Sequence, residues 1–439
     1  MEQDNLQLGS STQGNNELNN ESKKKKEKKK GSIKSFIWGF MTCFILFCLL
    51  ITVGVAIVYN LTTVAEREEA LIVAGFGESD VVDASFVKKA EKIAAMIEKV
   101  YYKDDYDKLQ LQDGMYKGMV DSLGDIYSTY YTKEEMAETT QDIEGTYGGI
   151  GAYISYNNEY KMCQISGTIE GSPSEKVGLL ADDFIYKLDD NDVTTWTASE
   201  IAEYCRDEVG TSFVMTIYRP SKNTTMEFEL TRDVIESVSA KGEMLEDKIG
   251  YIAISSFDVV TPGQYKKAFA ELKDQGMKGL ILDLRGNGGG DVDACIGIAQ
   301  QILPKGLIVY TEDKNGNRKE YNCDGANEID IPLVVLVNGY SASASEILSG
   351  AIQDTEKGIL LGTKTYGKGI VQSLMGLGDG SGLKLTVYAY YTPKGRYIHG
   401  TGLEPDEVLE FDGDRYYDGD GVDNQLERAK EIINSKAAK

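Results

Sequence analysis

The chain has 439 residues, with apolar and charged fractions of 41% and 26%, so it can hold two or three domains with buried cores and is not a disordered polymer. Its formal charge is −24; residues 1–34 carry eight Lys and five Asp or Glu, a tail of +3, which leaves −27 on the remainder and argues against a nucleic-acid partner. A single histidine, His399, excludes histidine-rich metal sites.

The tail is rich in Asn, Gln, Ser and Lys and ends in Lys23-Lys24-Lys25-Lys26-Glu27-Lys28-Lys29-Lys30; it cannot bury enough surface to fold. Residues 36–59 carry no charge and are long enough to cross the roughly 30 Å hydrocarbon layer as a helix, with Trp38 and Tyr59 near the ends. The run is longer than a usual signal-peptide h-region and has no clear A-x-A cleavage site. Lysines before it and Glu66, Glu68 and Glu69 after it place the N-terminus in the cytoplasm and the rest outside. The expected order is a cytoplasmic basic tail (1–34), a single transmembrane helix (35–59) and a linker (60–83).

A helical subdomain is expected over 84–144. Phe86, Ala90, Ile93, Ala94, Ile97 and Val100 recur at helical spacing, and further helical stretches lie around 115–123 and 133–143. Residues 145–220 alternate short apolar runs with turn residues around one helix-like stretch, which predicts a small β-rich module. Strands and helices then alternate over 221–411, the pattern of βαβ units and a largely parallel sheet. An acidic loop and closing helix fill 412–439; the loop lacks the third acidic position and the closing Glu of an EF-hand, so it reads as solvated rather than calcium-binding. Cys43 and Cys48 fall in the apolar segment. Cys163, Cys205, Cys295 and Cys323 are too widely spaced for a zinc site and allow three disulfide pairings, with unpaired thiols equally open.

Three loops could carry chemistry. The apolar strand at 332–337 leads into Ser341-Ala342-Ser343-Ala344-Ser345-Glu346 and a helical run. A strand-to-helix turn of small hydroxyl residues can present a nucleophile, and the free N–H groups of the helix start suit a developing oxyanion. A serine there is commonly only an N-cap, and G-x-S-x-G is missing. A second turn, Asp283-Leu284-Arg285-Gly286-Asn287-Gly288-Gly289-Gly290, matches neither phosphate-cradle spacing; its glycines could instead offer backbone donors to a peptide carbonyl. The third is Gly367-Lys368-Gly369-Ile370-Val371-Gln372. With no suitable histidine, a serine nucleophile needs another base, and a buried lysine serves if desolvation lowers its pKa from about 10.4 towards neutrality.

These motifs, with Leu123-Gly124-Asp125-Ile126-Tyr127-Ser128, Gly148-Gly149-Ile150-Gly151 and Tyr391-Thr392-Pro393-Lys394-Gly395-Arg396, resemble the C-terminal processing (tail-specific) serine peptidase family across nearly the whole region from about residue 90 to 434. The resemblance implies an α/β, parallel-sheet-rich peptidase domain of ClpP/crotonase-like fold with an inserted PDZ domain. It also implies a nucleophile at Ser343, a base at Lys368, an orienting glutamine at Gln372, and oxyanion donors around Gly288, Gly289 and Ala344. Gly148, Gly149, Ile150 and Gly151 would form the carboxylate-binding loop of the PDZ domain, whose likeness continues in Gly171-Ser172-Pro173-Ser174-Glu175-Lys176-Val177-Gly178-Leu179. The sequence departs at Leu180-Ala181-Asp182-Asp183, where the family usually has a Pro-Gly-Asp turn.

The expected protein is a membrane-anchored extracytoplasmic serine endopeptidase that needs no cofactor and no metal and acts on proteins or peptides with free C-termini; homo-oligomerisation is left open. The rival from another class is a catalytically inactive, membrane-tethered PDZ adaptor. A nucleotide-binding α/β protein is disfavoured by the glycine spacings.

Overall fold

The computed structural model describes residues 80–103 and 105–437. The tail, the apolar segment at 35–59 and most of the linker lie outside the described residues; among the described residues no helix is long and apolar enough to cross a membrane. The chain divides into two units, 1–104 and 105–439. In the first, Asp83 caps helix α1 (Ala84–Val100) by accepting the Phe86 N–H at 2.7 Å.

The second unit opens with α2 (Lys108–Asp121), β1 (Thr129–Tyr131) and α3 (Lys133–Glu144). Next comes the β-rich module: β2 (Thr146–Gly149), β3 (Ala152–Asn157), β4 (Met162–Thr168), α4 (Pro173–Val177), β5 (Phe184–Leu188), β6 (Asn191–Asp192), α5 (Ala198–Cys205), β7 (Ser212–Arg219), β8 (Thr224–Thr231) and β9 (Asp233–Glu236). The α/β region follows with β10 (Ala240–Met244), β11 (Ile249–Ile254), α6 (Thr261–Asp274), β12 (Gly279–Asp283), α7 (Val292–Ala299), β13 (Gly306–Asp313), β14 (Arg318–Cys323), β15 (Leu333–Val337) and α8 (Ala344–Asp354). It closes with β16 (Ile359–Gly362), β17 (Ile370–Gly376), β18 (Gly382–Tyr391), β19 (Glu407–Val408) and α9 (Asn424–Ala437).

The module has its own core, in which Ile165, Ile185, Leu188, Ile201, Met215, Ile217 and Leu230 are fully buried. Its sheet runs β3-β4-β5-β7-β8, leaving β3 as an edge strand, while β2 and β9 form a separate two-stranded ribbon. The expected boundary at residue 220 is too early. β8 pairs with β7 along its full length, Ser212 opposite Thr231 to Arg219 opposite Thr224, so the module extends through β8. At the departure in the 180–183 turn, Asp183 accepts the Leu180 N–H at 2.9 Å and a buried ion pair from Arg219 at 2.6 Å.

The α/β region is built on a six-stranded sheet, β10-β11-β12-β15-β16-β19, parallel except for the antiparallel β10-β11 pair. Strand alternation sends Leu280, Leu282, Leu333, Val335 and Val337 into one core, with residues of α6, α7 and α8. Ile281, Val334 and Leu336 point into the other, with Ala429, Ile432 and Ile433 of α9. The final helix is therefore an integral layer of the peptidase region and not an appendage after residue 411.

A second, antiparallel sheet of β1, β13, β14, β17 and β18 was absent from the expectation. β1 pairs with β18, Tyr130 opposite Leu383, which corrects the reading of 84–144 as one helical subdomain. Its α1 belongs to the first unit, and its remainder is built into the second.

Candidate active site

Buried β12 and β15 end side by side in parallel register, Asp283 opposite Leu336. Their following loops are therefore neighbours, which brings together the glycine turn and the serine turn. Asn287, fully buried, stitches them: its Nδ2 donates to Ile254 O at 2.8 Å, and its backbone oxygen accepts Ala342 N–H at 3.0 Å and Ser345 Oγ–H at 2.9 Å. Ser341 Oγ donates to Leu284 O at 2.8 Å.

Ser341 and Ser345 are thus fully buried and bonded. Ser343 differs: it is half-buried, its Oγ–H donates to no acceptor among the described residues, and its backbone sits at φ 55°, ψ −113°. A non-glycine residue at positive φ stores strain that the surrounding structure must hold in place. Gly289 lies directly against it, at φ +109°, where a Cβ would come 2.8 Å from Ser343 Cβ; only glycine permits that approach.

The residue whose part the sequence did not disclose is Glu346. It is fully buried, and its Oε1 accepts Thr365 Oγ–H at 2.6 Å and Gly367 N–H at 2.7 Å. Its Oε2 accepts Lys368 N–H at 2.8 Å and Ser343 N–H at 3.0 Å. One oxygen therefore joins the main chains of Ser343 and Lys368. Position 346 resembles an ordinary capping-box glutamate in a first helical turn, and its burial and its bonds to Thr365, Gly367 and Lys368 are what set it apart.

The Lys368 side chain is half-buried and makes no hydrogen bond or ion pair among the described residues; its Nζ lies over the Tyr127 ring, 4.7 Å from the centroid. Burial holds its pKa below the usual lysine value, assisted by the charge of Lys384 and opposed by Asp125 and Glu346. Gln372 does not bond to Lys368: its Nε2 donates to Thr386 Oγ1 at 3.0 Å, and its carbonyl oxygen has no partner among the described residues. His399 Nδ1 accepts the Gly369 N–H at 3.3 Å.

Of the expected oxyanion donors, the Gly289 N–H is engaged by Asn287 Oδ1 at 2.8 Å, which corrects its assignment. The Gly288 and Ala344 amides have no acceptor among the described residues. Asp283 and Arg285 brace the glycine turn from behind. Arg285 reaches Asp283 at 2.6 Å, Asp423 at 2.8 Å and Gln425 Oε1 at 2.9 Å, so the acidic loop before α9 is partly an anchor. No group of His, Cys, Asp and Glu among the described residues could hold a metal ion, and the four described cysteines are buried free thiols.

Gly148, Gly149, Ile150 and Gly151 lie far along the chain from these loops, in the module. Gly148 and Gly149 belong to β2, opposite Val234 and Asp233 of β9. Ile150 and Gly151 form the turn into edge strand β3, with Ile150 O accepting Ser174 N–H at 2.9 Å and Gly151 O accepting Ile169 N–H at 2.9 Å.

A profile described as "Peptidase family S41" matches residues 248–409, and one described as "Activating protease CtpB N-terminal domain" matches residues 51–135. The carboxyl-terminal-processing protease of Synechocystis sp. is 38% identical over 297 residues, 66% of this chain and 69% of that protein. That of Picosynechococcus sp. is 34% identical over 337 residues, covering 75% and 81%. Among solved structures, the photosystem II D1 C-terminal processing protease aligns over 81% of this chain and 92% of its own, with 28% identity and a TM-score of 0.44. The chain belongs to peptidase family S41 and is a serine-type peptidase of the carboxyl-terminal-processing group.

Proposed function

We propose that the protein is a membrane-anchored endopeptidase that cleaves protein substrates near their C-termini with Ser343 as nucleophile and Lys368 as base. The observation that carries this is the joint position of the two residues. Ser343 alone of the three neighbouring serines donates its hydroxyl proton to no described residue, and its main chain shares one Glu346 oxygen with that of a half-buried lysine.

In the proposed reaction the neutral Lys368 amine takes the Ser343 proton as Oγ bonds to the scissile carbonyl carbon. The oxyanion that forms meets the free amides of Gly288 and Ala344. The C–N bond then breaks, the Lys368 ammonium returns its proton to the leaving amine, and water releases the acyl group by the same route. Gln372, anchored through Nε2 on Thr386, keeps its carbonyl oxygen for the Lys368 amine.

Substrate delivery falls to the β-rich module, read as a PDZ domain. β3 is an open edge that can accept a peptide as an added strand, and the Gly148–Gly149–Ile150–Gly151 turn stands at its start to meet a terminal carboxylate. The parallel sheet layered by helices on both faces is read as the ClpP/crotonase-like scaffold, and residues 35–59 as the anchor that holds it outside the cytoplasm.

One experiment tests the whole reading. Intact cells displaying the full chain should hydrolyse an added, membrane-impermeant peptide with a free C-terminus, and cells displaying Ser343→Ala should not. Hydrolysis by Ser343→Ala would sink the nucleophile assignment; activity that emerges only on lysis would sink the topology.

A further inference from the structure

We propose that Tyr127 is a positioning residue for Lys368: its ring face holds the ammonium in a resting place that the amine must leave, as the neutral base, to take the Ser343 proton. This rests on the dyad reading above. A cation within about 6 Å of a ring centroid is attracted by the ring quadrupole, and the neutral amine gains far less from the same face. Lys368 Nζ lies at 4.7 Å, and this is its one specific side-chain contact among the described residues.

The ring is built into place. Tyr127 N–H donates to Asp125 Oδ1 at 3.0 Å, Ser128 Oγ–H donates to Asp125 Oδ2 at 2.6 Å, and Ser128 Oγ accepts the Thr386 N–H of β18 at 3.1 Å. The loop between α2 and β1 is thereby fastened across the antiparallel sheet with Tyr127 facing the amine. The His399 ring stands beyond it, edge-on at 6.5 Å. The Tyr366 hydroxyl, and after it burial, pushes the Tyr127 phenol up to about 12, so the ring is neutral wherever the enzyme works.

The groups facing Lys368 are Asp125 and Tyr127 from the α2–β1 loop, Glu346 from α8 and Lys384 from β18, with Tyr366 of its own loop set against Tyr127. Burial and Lys384 favour the neutral amine, whereas Asp125 and Glu346 favour the ammonium. Tyr127 adds to the second side and places the charge on one spot. The catalytic base is therefore held partly idle, and whatever draws the amine from the ring hands it to Ser343.

The test must change the quadrupole without changing shape or burial. Tyr127→Phe is compared with the same full-length chain carrying pentafluorophenylalanine at position 127, and kcat/KM for a peptide is followed against pH. The acid limb of the fluorinated protein should lie about half to one pH unit below that of Tyr127→Phe. Superimposed limbs would overturn the proposal.

A second measurement does not need turnover. The Lys368 amine is titrated by NMR in ε-13C-lysine-labelled Ser343→Ala protein bearing either ring, with the resonance assigned through Lys368→Arg. The same displacement supports the proposal, and identical titrations refute it. Full activity of Lys368→Arg in the otherwise unaltered chain is a separate outcome, which would remove the dyad itself.

Discussion

The serine turn and the Gly148–Gly149–Ile150–Gly151 turn look alike as sequence, both small-residue loops beside strands, yet they use their polar groups in opposite ways. At the serine turn the side chains of Asn287, Ser341, Ser345 and Glu346 are fully buried and every one is bonded inward, so that a single hydroxyl, Ser343, is left for chemistry. In the module the buried Ser172 is likewise bonded inward, its Oγ donating to Gly151 O at 3.1 Å, but the four residues of the turn carry no polar side chain of their own. What it offers is main chain, along the β3 edge and in the turn before it. Substitutions in the first region should therefore act as all-or-none losses, and changes to the ligand of the second as graded ones.

The sharpest test of the first half concerns the base. Lys368→Arg should abolish hydrolysis, since a guanidinium stays protonated at any usable pH, whereas His399→Gln should keep substantial turnover. Because only the neutral amine accepts a proton, the wild-type rate should rise with pH through the lysine pKa, which burial has lowered, and fall about tenfold per pH unit below it. Rates measured from pH 5 to pH 10 check the sign; a rate that rose on acidification would exclude the lysine as base, and a dead, folded His399→Gln beside an active Lys368→Arg would replace the lysine by the histidine.

A smaller loss is expected at Glu346. Glu346→Gln keeps the shape but turns an NH2 group towards two of the four donors that now meet a carboxylate. Each donor left unsatisfied costs about 1–3 kcal/mol, so the melting temperature should drop by several degrees. Displacement of the Ser343 and Lys368 main chains should lower kcat by about a hundredfold. A variant with unchanged kcat would show that the shared oxygen is not what aligns the two residues.

The two regions also differ in how far they could be read in advance. The buried parallel strands were legible because both faces are covered and the runs are continuously apolar, as in Leu333 to Val337. The antiparallel sheet was not, because β17 and β18 lie mostly half-buried and mix Lys, Thr, Tyr and Gln into their pattern. The same blending hid the module's end, where β8 alternates exposed and half-buried residues past the expected boundary. Ser343 and Lys368 were reachable through motif and chemistry. Glu346 and Tyr127 stood inside motifs that carry the resemblance, but their parts were not legible, since they arise from burial and from contacts 22 and 241 positions along the chain.

The smallest predicted effect belongs to the module. A free C-terminal carboxylate can accept charge-assisted bonds from backbone amides at the Gly148–Gly149–Ile150–Gly151 turn, and an amidated end cannot. Gly148 is half-buried and Gly149, Ile150 and Gly151 are buried, while the charged peptide end arrives from solvent, where ions screen it; screening leaves only part of the roughly 1.5–3 kcal/mol that a bond to a charged group contributes. Amidation of an otherwise identical peptide should therefore raise KM by about threefold to tenfold. It should leave kcat nearly unchanged, because the acyl-transfer groups stand in a different core from the one that holds the turn. The effect should shrink as salt is added. Equal KM values for free and amidated peptides would remove the carboxylate-reading role, and a fall confined to kcat would mean that the terminus is sensed at the serine turn itself.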